Sequence, residues 1–224
     1  MECTNPLYKN QGIHTVNAIF TIEDAKLKVL LIKRSNEPFK DMWALVSGAI
    51  YNNETFEDGT SREIYEKTGL QNIKTKKFEV YSNLDRSPDM RMLGIANICV
   101  INCEKVNIIK QTRNTYDANW FDIIDVPTLA FDHSKIFIDA VNYLKEQIYK
   151  NDMVRALLPN EFTIPMLQCV YEAVLNTTYD RRNFSKKVLG LDLLKDLKKQ
   201  EELAGKKPAK LYAFKANIND KKII

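Results

Sequence analysis

The sequence predicts an α+β protein in two parts, with residues 1–154 as one domain and residues 155–224 as a smaller helix-turn-helix with a β wing. Three observations predict it. Apolar, β-branched runs alternate with charged helical segments through the first part. The texture then changes at Leu157-Leu158-Pro159-Asn160, a break that reads as a domain edge. Charge divides the same way: from Arg155 on there are 14 Lys+Arg against 8 Asp+Glu, leaving 19 basic and 21 acidic residues for the rest, out of totals of 33 and 29. A basic module behind a near-neutral body is the charge layout of an attached nucleic-acid binder, although a solvated lysine-rich surface has the same composition.

Taken in order, residues 14–22 and 28–33 read as two strands of a hairpin, with Asp24 among the polar residues between them. Residues 54–68 are charged at most positions, with Phe56, Ile64 and Tyr65 on a sparse apolar side; they predict a helix that Gly59 weakens and Gly69 stops. Strands follow at about 75–83 and 92–102, and 120–124 is a further short strand. In residues 133–149 the apolar positions Ile136, Phe137, Ala140, Val141, Leu144 and Ile148 have helical spacing, with Asp132 as N-cap. In the second part Thr163 caps a helix that tolerates Pro165 in its first turn and has Leu167, Val170, Tyr171, Val174 and Leu175 on its apolar face. Asp180 caps a second helix through Lys187, and the alternating PAKLYAFK supplies one strand of a wing.

Composition excludes several classes. Hydrophobic residues make up 45% of the 224, enough for one large or two modest cores, and no run is long and apolar enough to span a membrane. The N-terminal MECTNPLYKNQG has no basic region leading into an apolar run, so residence in the cytoplasm is the expectation. Cys3, Cys99, Cys103 and Cys169 form no CxxC pair, and only His14 and His133 could complete a zinc site. Neither a structural metal nor a disulfide framework is expected, and both histidines are read as structural.

The most specific signal lies in residues 48–70. Gly48, Glu54, Arg62, Glu63, Ile64, Glu66, Gly69 and Leu70 stand at the spacing Gly-x5-Glu-x7-Arg-Glu-U-x-Glu-Glu-x-Gly-U, where U is bulky and apolar; the one departure is Lys67 in place of the last glutamate. This resembles the Nudix box. The resemblance implies an α/β/α sandwich around a mixed sheet, and an enzyme that cleaves a diphosphate joined to another moiety. Such chemistry uses hard divalent cations held by carboxylates. Residues 63, 66 and 67 are three and four apart on a helix, hence on one face. With Lys67 among them, Glu63 and Glu66 are expected to bind magnesium weakly or not at all, and the box to be catalytically degenerate. Lys67 is placed to satisfy both glutamates in the metal's stead. The competing reading keeps Glu63 and Glu66, joined by Glu54 or Glu57, around one magnesium, as in a hydrolase of ADP-ribose or a related nucleoside diphosphate derivative. Further departures are Val46-Ser47-Gly48-Ala49, where the family often has a Pro-Gly-Gly-Phe-like turn, and Gly59-Thr60, where it has small alanines.

The segment from Lys33 to Phe39, followed by Trp43-Ala44-Leu45, resembles the loop beside the nucleotide site of ADP-ribose-type Nudix domains. Arg34 and Arg91 are candidates for phosphate contacts. Phe39 and Trp43 are candidates for stacking on a base, with core filling as their alternative role. The tail narrows the resemblance: Leu129-Ala130-Phe131-Asp132-His133, Leu158-Pro159, Phe162-Thr163, Leu167-Gln168, Tyr171-Glu172, Arg182-Asn183-Phe184, Lys186-Lys187, Pro208-Ala209 and Leu211-Tyr212 are similar to the Nudix-related transcriptional regulators. That family implies a winged helix on double-stranded operator DNA, and a Nudix pocket that senses ADP-ribose or a related nucleotide or sugar metabolite. It also implies release of DNA on ligand binding, and a homodimer. The residues themselves support a DNA face: Arg182 is of a type that reads guanine, Asn183 adenine. Arg181, Lys186, Lys187 and the wing's Lys206, Lys207 and Lys210 suit phosphates. No cofactor is expected to be required, with magnesium needed only for residual hydrolysis. A scaffold that binds protein through its tail is the remaining alternative.

Overall fold

A computed structural model describes residues 11–102, 106–112, 115–149, 151–201 and 208–215, without the side chains of 151 and 152. The chain packs as two compact units; the first holds most of the chain up to Val141, and the second everything described from Asn142 on. The division falls inside a helix, so the helix's second half joins the second unit. No helix among the described residues is long and apolar enough to cross a membrane.

The first unit is built on a sheet of six strands in the order β4-β5-β1-β3-β2-β6. β1 (Gly12–Glu23) and β2 (Lys26–Arg34) form the expected hairpin. Its turn carries positive φ at both Asp24 and Ala25, the conformation that matches strand twist in a two-residue hairpin loop. β3 (Trp43–Ala49) pairs antiparallel with both, bringing Leu31 opposite Leu45 and Thr15 opposite Gly48. This strand corrects the sequence reading, which takes Trp43-Ala44-Leu45 as a loop and Val46-Ser47-Gly48-Ala49 as a turn. WALVSGA shows no apolar-polar alternation because a central strand is covered on both faces, and Ala44 to Ser47 are all buried. β4 (Lys76–Tyr81) pairs with β5 (Met92–Val100) at one edge, and β6 (Thr115–Asp122) with β2 at the other.

Helix α1 (Phe56–Thr68) packs on β3 and β6. Thr55 caps it by accepting from the Asp58 amide, and Gly69 ends it at φ 75° with its N–H on the Tyr65 carbonyl. A buried polar chain ties α1 to the sheet. Thr60 donates to Thr15 Oγ1 (2.9 Å), and Asn97 donates to Thr15 and Asn17 (both 3.0 Å). Asn17 in turn donates to the Val46 carbonyl (3.0 Å). Thr15, Asn17 and Asn97 are fully buried and Thr60 is 1% exposed, so these bonds stand where no water replaces them. Helix α2 (His133–Gln147) buries the apolar set that its spacing predicts. Asp132, expected to cap it, gives its carboxylate to Arg86 instead.

The second unit contains α3 (Asn151–Leu157), α4 (Ile164–Leu175) and α5 (Arg181–Gly190), followed by a two-stranded sheet of β7 (Leu194–Glu201) and β8 (Ala209–Phe214). Thr163 and Asp180 cap α4 and α5 as expected, accepting from the Met166 and Asn183 amides. The sequence reading has no counterpart of α3, which is a single short stretch of seven residues in the segment before the break. Phe162 bonds through both N–H and C=O to Tyr212, and its ring lies 4.9 Å from that of Phe214, so the hairpin is fixed to the start of α4.

Candidate functional site

The box residues meet where β3 runs beneath α1. Arg62 is the hub. Its Nε and one terminal nitrogen take both oxygens of Glu54 (2.9 and 2.7 Å); the same terminal nitrogen donates to the Ala49 carbonyl (2.8 Å). The other reaches Glu63 (2.7 Å) and Glu66 (3.4 Å). The guanidinium also lies 3.9 Å from the Tyr51 ring. These hydrogen bonds, with one from the Tyr51 amide, hold the Glu54 carboxyl down at about 2.

Lys67 Nζ pairs with the second Glu63 oxygen at 2.9 Å and donates to the Ser47 carbonyl. Glu63 is 5% exposed and therefore shared between two cations. The expectation that Lys67 serves both glutamates is half met: Glu66, more exposed, goes to Arg62. Gly48 is required here by close approach, because a Cβ at this position would run into the Glu63 carboxylate. A magnesium ion does not fit this donor set. The buried carboxylate is already neutralised by Arg62 and Lys67, and among the described residues no three acidic, His or Cys side chains converge as metal ligands.

Lys67 forms one wall of a cleft of about 170 Å³ that is also lined by His14, Arg34, Ser47, Arg86, Asp89, Phe131 and His133. Arg34, at the end of β2, donates to the Pro38 and Asn36 carbonyls (3.0 and 3.2 Å), and its guanidinium lies 4.7 Å from the Phe131 ring. Phe39 packs edge-on against Phe131 at 4.7 Å, and so borders the cleft through that ring. Two candidates stand elsewhere. Trp43 does not line the cleft and packs on Phe121 at 4.7 Å. Arg91 donates to the Ser82 and Asn83 carbonyls and braces that loop.

Sequence reading missed Arg86. It is 7% exposed, is bound through two nitrogens to Asp132 at 3.0 Å each, and lies on Gly94, where a Cβ would come within 2.6 Å of its guanidinium. It also took His14 and His133 as structural only. His133 does accept the Leu45 amide at Nδ1 (3.2 Å), yet both rings line the cleft. Burial, helped by Arg86, pushes His14 down to about 4 and His133 to about 3, so both are neutral near pH 7. With Nδ1 accepting, the His133 proton sits on Nε2, for which no partner is found among the described residues. Against the single Asp89 carboxylate, the cleft thus offers three cations and a neutral donor, an arrangement suited to an anion with several oxygens.

The second candidate site is α5. Phe184 and Val188 turn inward, where Phe184 meets Tyr171 and Tyr179 at 6.0 and 5.9 Å. Arg181, Arg182, Asn183, Lys186 and Lys187 are all exposed. The turn before α5 is set from α4: Glu172 accepts from the Tyr179 amide and from Gln168, and Gln168 also donates to the Tyr179 carbonyl, each at 2.8 Å. This is the physical content of the Gln168…Glu172 pattern singled out in the sequence. Lys210 is exposed on β8, 3.9 Å from Asp196. Lys206, Lys207, Cys3 and Cys103 lie outside the described residues; Cys99 and Cys169 are free thiols.

Comparison with known proteins adds a whole-chain context. The NUDIX domain family matches residues 13–140, and the NrtR DNA-binding winged helix domain matches residues 154–214. The chain is 27% identical over 201 residues to an ADPR responsive transcriptional repressor, NtrR, of Acinetobacter baylyi, covering 88% of this chain and 79% of that protein. It is 38% identical over 132 residues to an ADP-ribose pyrophosphatase of Methanocaldococcus jannaschii, covering 58% and 76% respectively. Among solved structures it resembles Shewanella oneidensis NrtR complexed with a 27mer DNA, with TM-score 0.77 and 27% identity over 91% of this chain and 93% of that one. The NUDIX domain of that Shewanella protein, complexed with ADP ribose, aligns at TM-score 0.57 and 28% identity over 62% and 93%.

Proposed function

We propose that this chain, which belongs to the Nudix family and carries an NrtR-type winged helix, is a transcriptional repressor that binds operator DNA and is released by ADP-ribose or a close nucleotide relative. The observation that carries the reading is the end-to-end likeness to Shewanella oneidensis NrtR complexed with DNA, joined to a helix face on this chain whose Arg181, Arg182, Lys186 and Lys187 are exposed and make no ion pair with any described residue. Arg182 and Asn183 read base edges, and Arg181, Lys186, Lys187 and Lys210 hold phosphates, with Lys206 and Lys207 assigned to the same task. Arg34 serves the effector from the cleft, and Phe39 supports it from behind Phe131. A single winged helix reads a short half-site, so the working form is a homodimer on a two-fold operator. It acts in the cytoplasm, needs no cofactor, and divides into a sensing domain up to about residue 154 and a DNA-binding domain beyond it. By linkage, ADP-ribose weakens DNA binding by the factor by which DNA weakens ADP-ribose binding.

A second reading, a magnesium-dependent hydrolase, is favoured by the 38% identity to an ADP-ribose pyrophosphatase and opposed by Lys67. The test is fluorescence anisotropy on the promoter of the chain's own operon with ADP-ribose titrated in. Tight, salt-sensitive binding released by ADP-ribose is the expected result. Absence of specific binding, together with magnesium-dependent turnover abolished by Glu63→Gln, would establish the hydrolase instead.

A further inference from the structure

Lys67 occupies the place of a ligated cation. Its ammonium sits between a carboxylate oxygen of Glu63 and the main-chain carbonyl of Ser47. Those two oxygens are the donor types that a hard divalent ion takes. One belongs to the box on α1 and the other directly precedes it on β3, and Gly48 keeps the gap between them free of a Cβ. Lys67 is 14% exposed at its side chain and lines the cleft, so its charge faces both the buried glutamate and the cleft's contents. Around it stand Arg86, fixed by Asp132, Arg34, fixed by two carbonyls, and the unpartnered Nε2 donor of His133. Each of these groups is held by its own bonds before any ligand arrives, which is what makes an anion site specific.

We infer that the cleft binds the diphosphate of a nucleoside diphosphate ester without a divalent metal, with the Lys67 ammonium, bridging Glu63 and the Ser47 carbonyl, as the built-in counter-charge. This deepens the effector reading and rests on it. The ammonium neutralises the diphosphate but brings no bound water to attack it, so the ligand is held and not cleaved. The same positive charge repels a metal ion, so magnesium gives no benefit.

The test is calorimetric titration of ADP-ribose into the full-length protein, once with magnesium and once with EDTA. The dissociation constants are expected to agree within about twofold. Lys67→Met, which keeps chain volume and removes the charge, is expected to weaken binding in EDTA by roughly tenfold, the scale of one charge-assisted contact. Lys67→Glu is expected to weaken it further in EDTA and to regain affinity in magnesium. Retained operator binding by both variants reports that they are folded. Binding of ADP-ribose to the parent protein only with magnesium would overturn the metal-free site while leaving the effector reading intact. Unchanged affinity of Lys67→Met in EDTA would overturn the role of Lys67. Failure of the parent to bind ADP-ribose in either buffer would overturn the effector reading, and this inference with it.

Discussion

Helices α1 and α5 are both short and both crowded with charge, yet they dispose of it in opposite ways. On α1 the charges close on one another: Arg62 takes Glu54, Glu63 and Glu66, and Lys67 takes Glu63. On α5, Arg181, Arg182, Lys186 and Lys187 are exposed, and no ion pair joins them to any described residue. A charge cluster that neutralises itself is part of the fold, whereas one left open requires a counter-charge from outside. The two helices thus use their positive charge differently: on α1 it balances the helix's own glutamates, with Lys67 alone also facing the cleft, and on α5 it is left for a partner outside.

Substitutions on the two helices are therefore expected to affect different properties. The largest expected effect is that of Arg62→Ala, which strips Glu54, Glu63 and Glu66 of their shared partner. It should cost roughly 2 kcal/mol in urea unfolding, because buried Glu63 loses one of its two cations and keeps Lys67. An equal loss from Arg182→Ala would erase the distinction. That substitution is expected to leave stability within about 0.5 kcal/mol and to weaken operator binding by about 1–3 kcal/mol with relaxed specificity, as measured by anisotropy on matched and mismatched sites. Lys186→Ala with Lys187→Ala should weaken binding across all sequences and reduce the slope of log affinity against log salt by about 2. Thr163→Ala, which removes the α4 cap, should cost about 1 kcal/mol of stability.

A further effect is on pH dependence. His14 and His133 are held near 4 and 3, below an ordinary value of 6.5, so the folded protein binds fewer protons than the unfolded chain across that interval. Their contribution is complete above pH 6.5 and is lost as the pH falls toward 4 and then 3. Glu54, held at about 2 by Arg62, adds a loss between about 4.5 and 2 that Arg62→Ala should abolish. The urea midpoint measured from pH 7 to 4 checks the first part. A flat profile would mean that both rings open to solvent.

What the sequence made legible was whatever depends on neighbours close along the chain. The box, the Thr163 and Asp180 caps and the inward face of α2 are local patterns, and each stands where its spacing puts it. Strand β3 was hidden because burial on both faces erases alternation. Strand β7 was hidden for the opposite reason: half of LKDLKKQE faces solvent in a two-stranded wing, so its charges mask the alternation that PAKLYAFK shows. Arg86 sits in a polar loop, and its partner Asp132 is 46 residues away, so only folding makes the pair. The sole trace of it in the sequence is Gly94, a glycine inside an apolar strand, which signals the close approach of another group. Trp43 and Arg91 illustrate the reverse case, since residue type suggests a ligand and the fold gives each another neighbour.

The cap of α5 has a consequence for how tightly the helix holds DNA. Asp180 accepts the Asn183 amide at 2.9 Å, which places a full negative charge at the positive pole of the helix dipole. A phosphate approaching that end meets an anion where an uncharged cap would leave a partial positive charge. The aspartate therefore strengthens the helix and at the same time moderates the grip. Asp180→Asn would keep the hydrogen bond, remove the repulsion, and is expected to tighten DNA binding by about two- to five-fold, with slower dissociation. The charged cap thus sets an upper limit on affinity that favours ready dissociation.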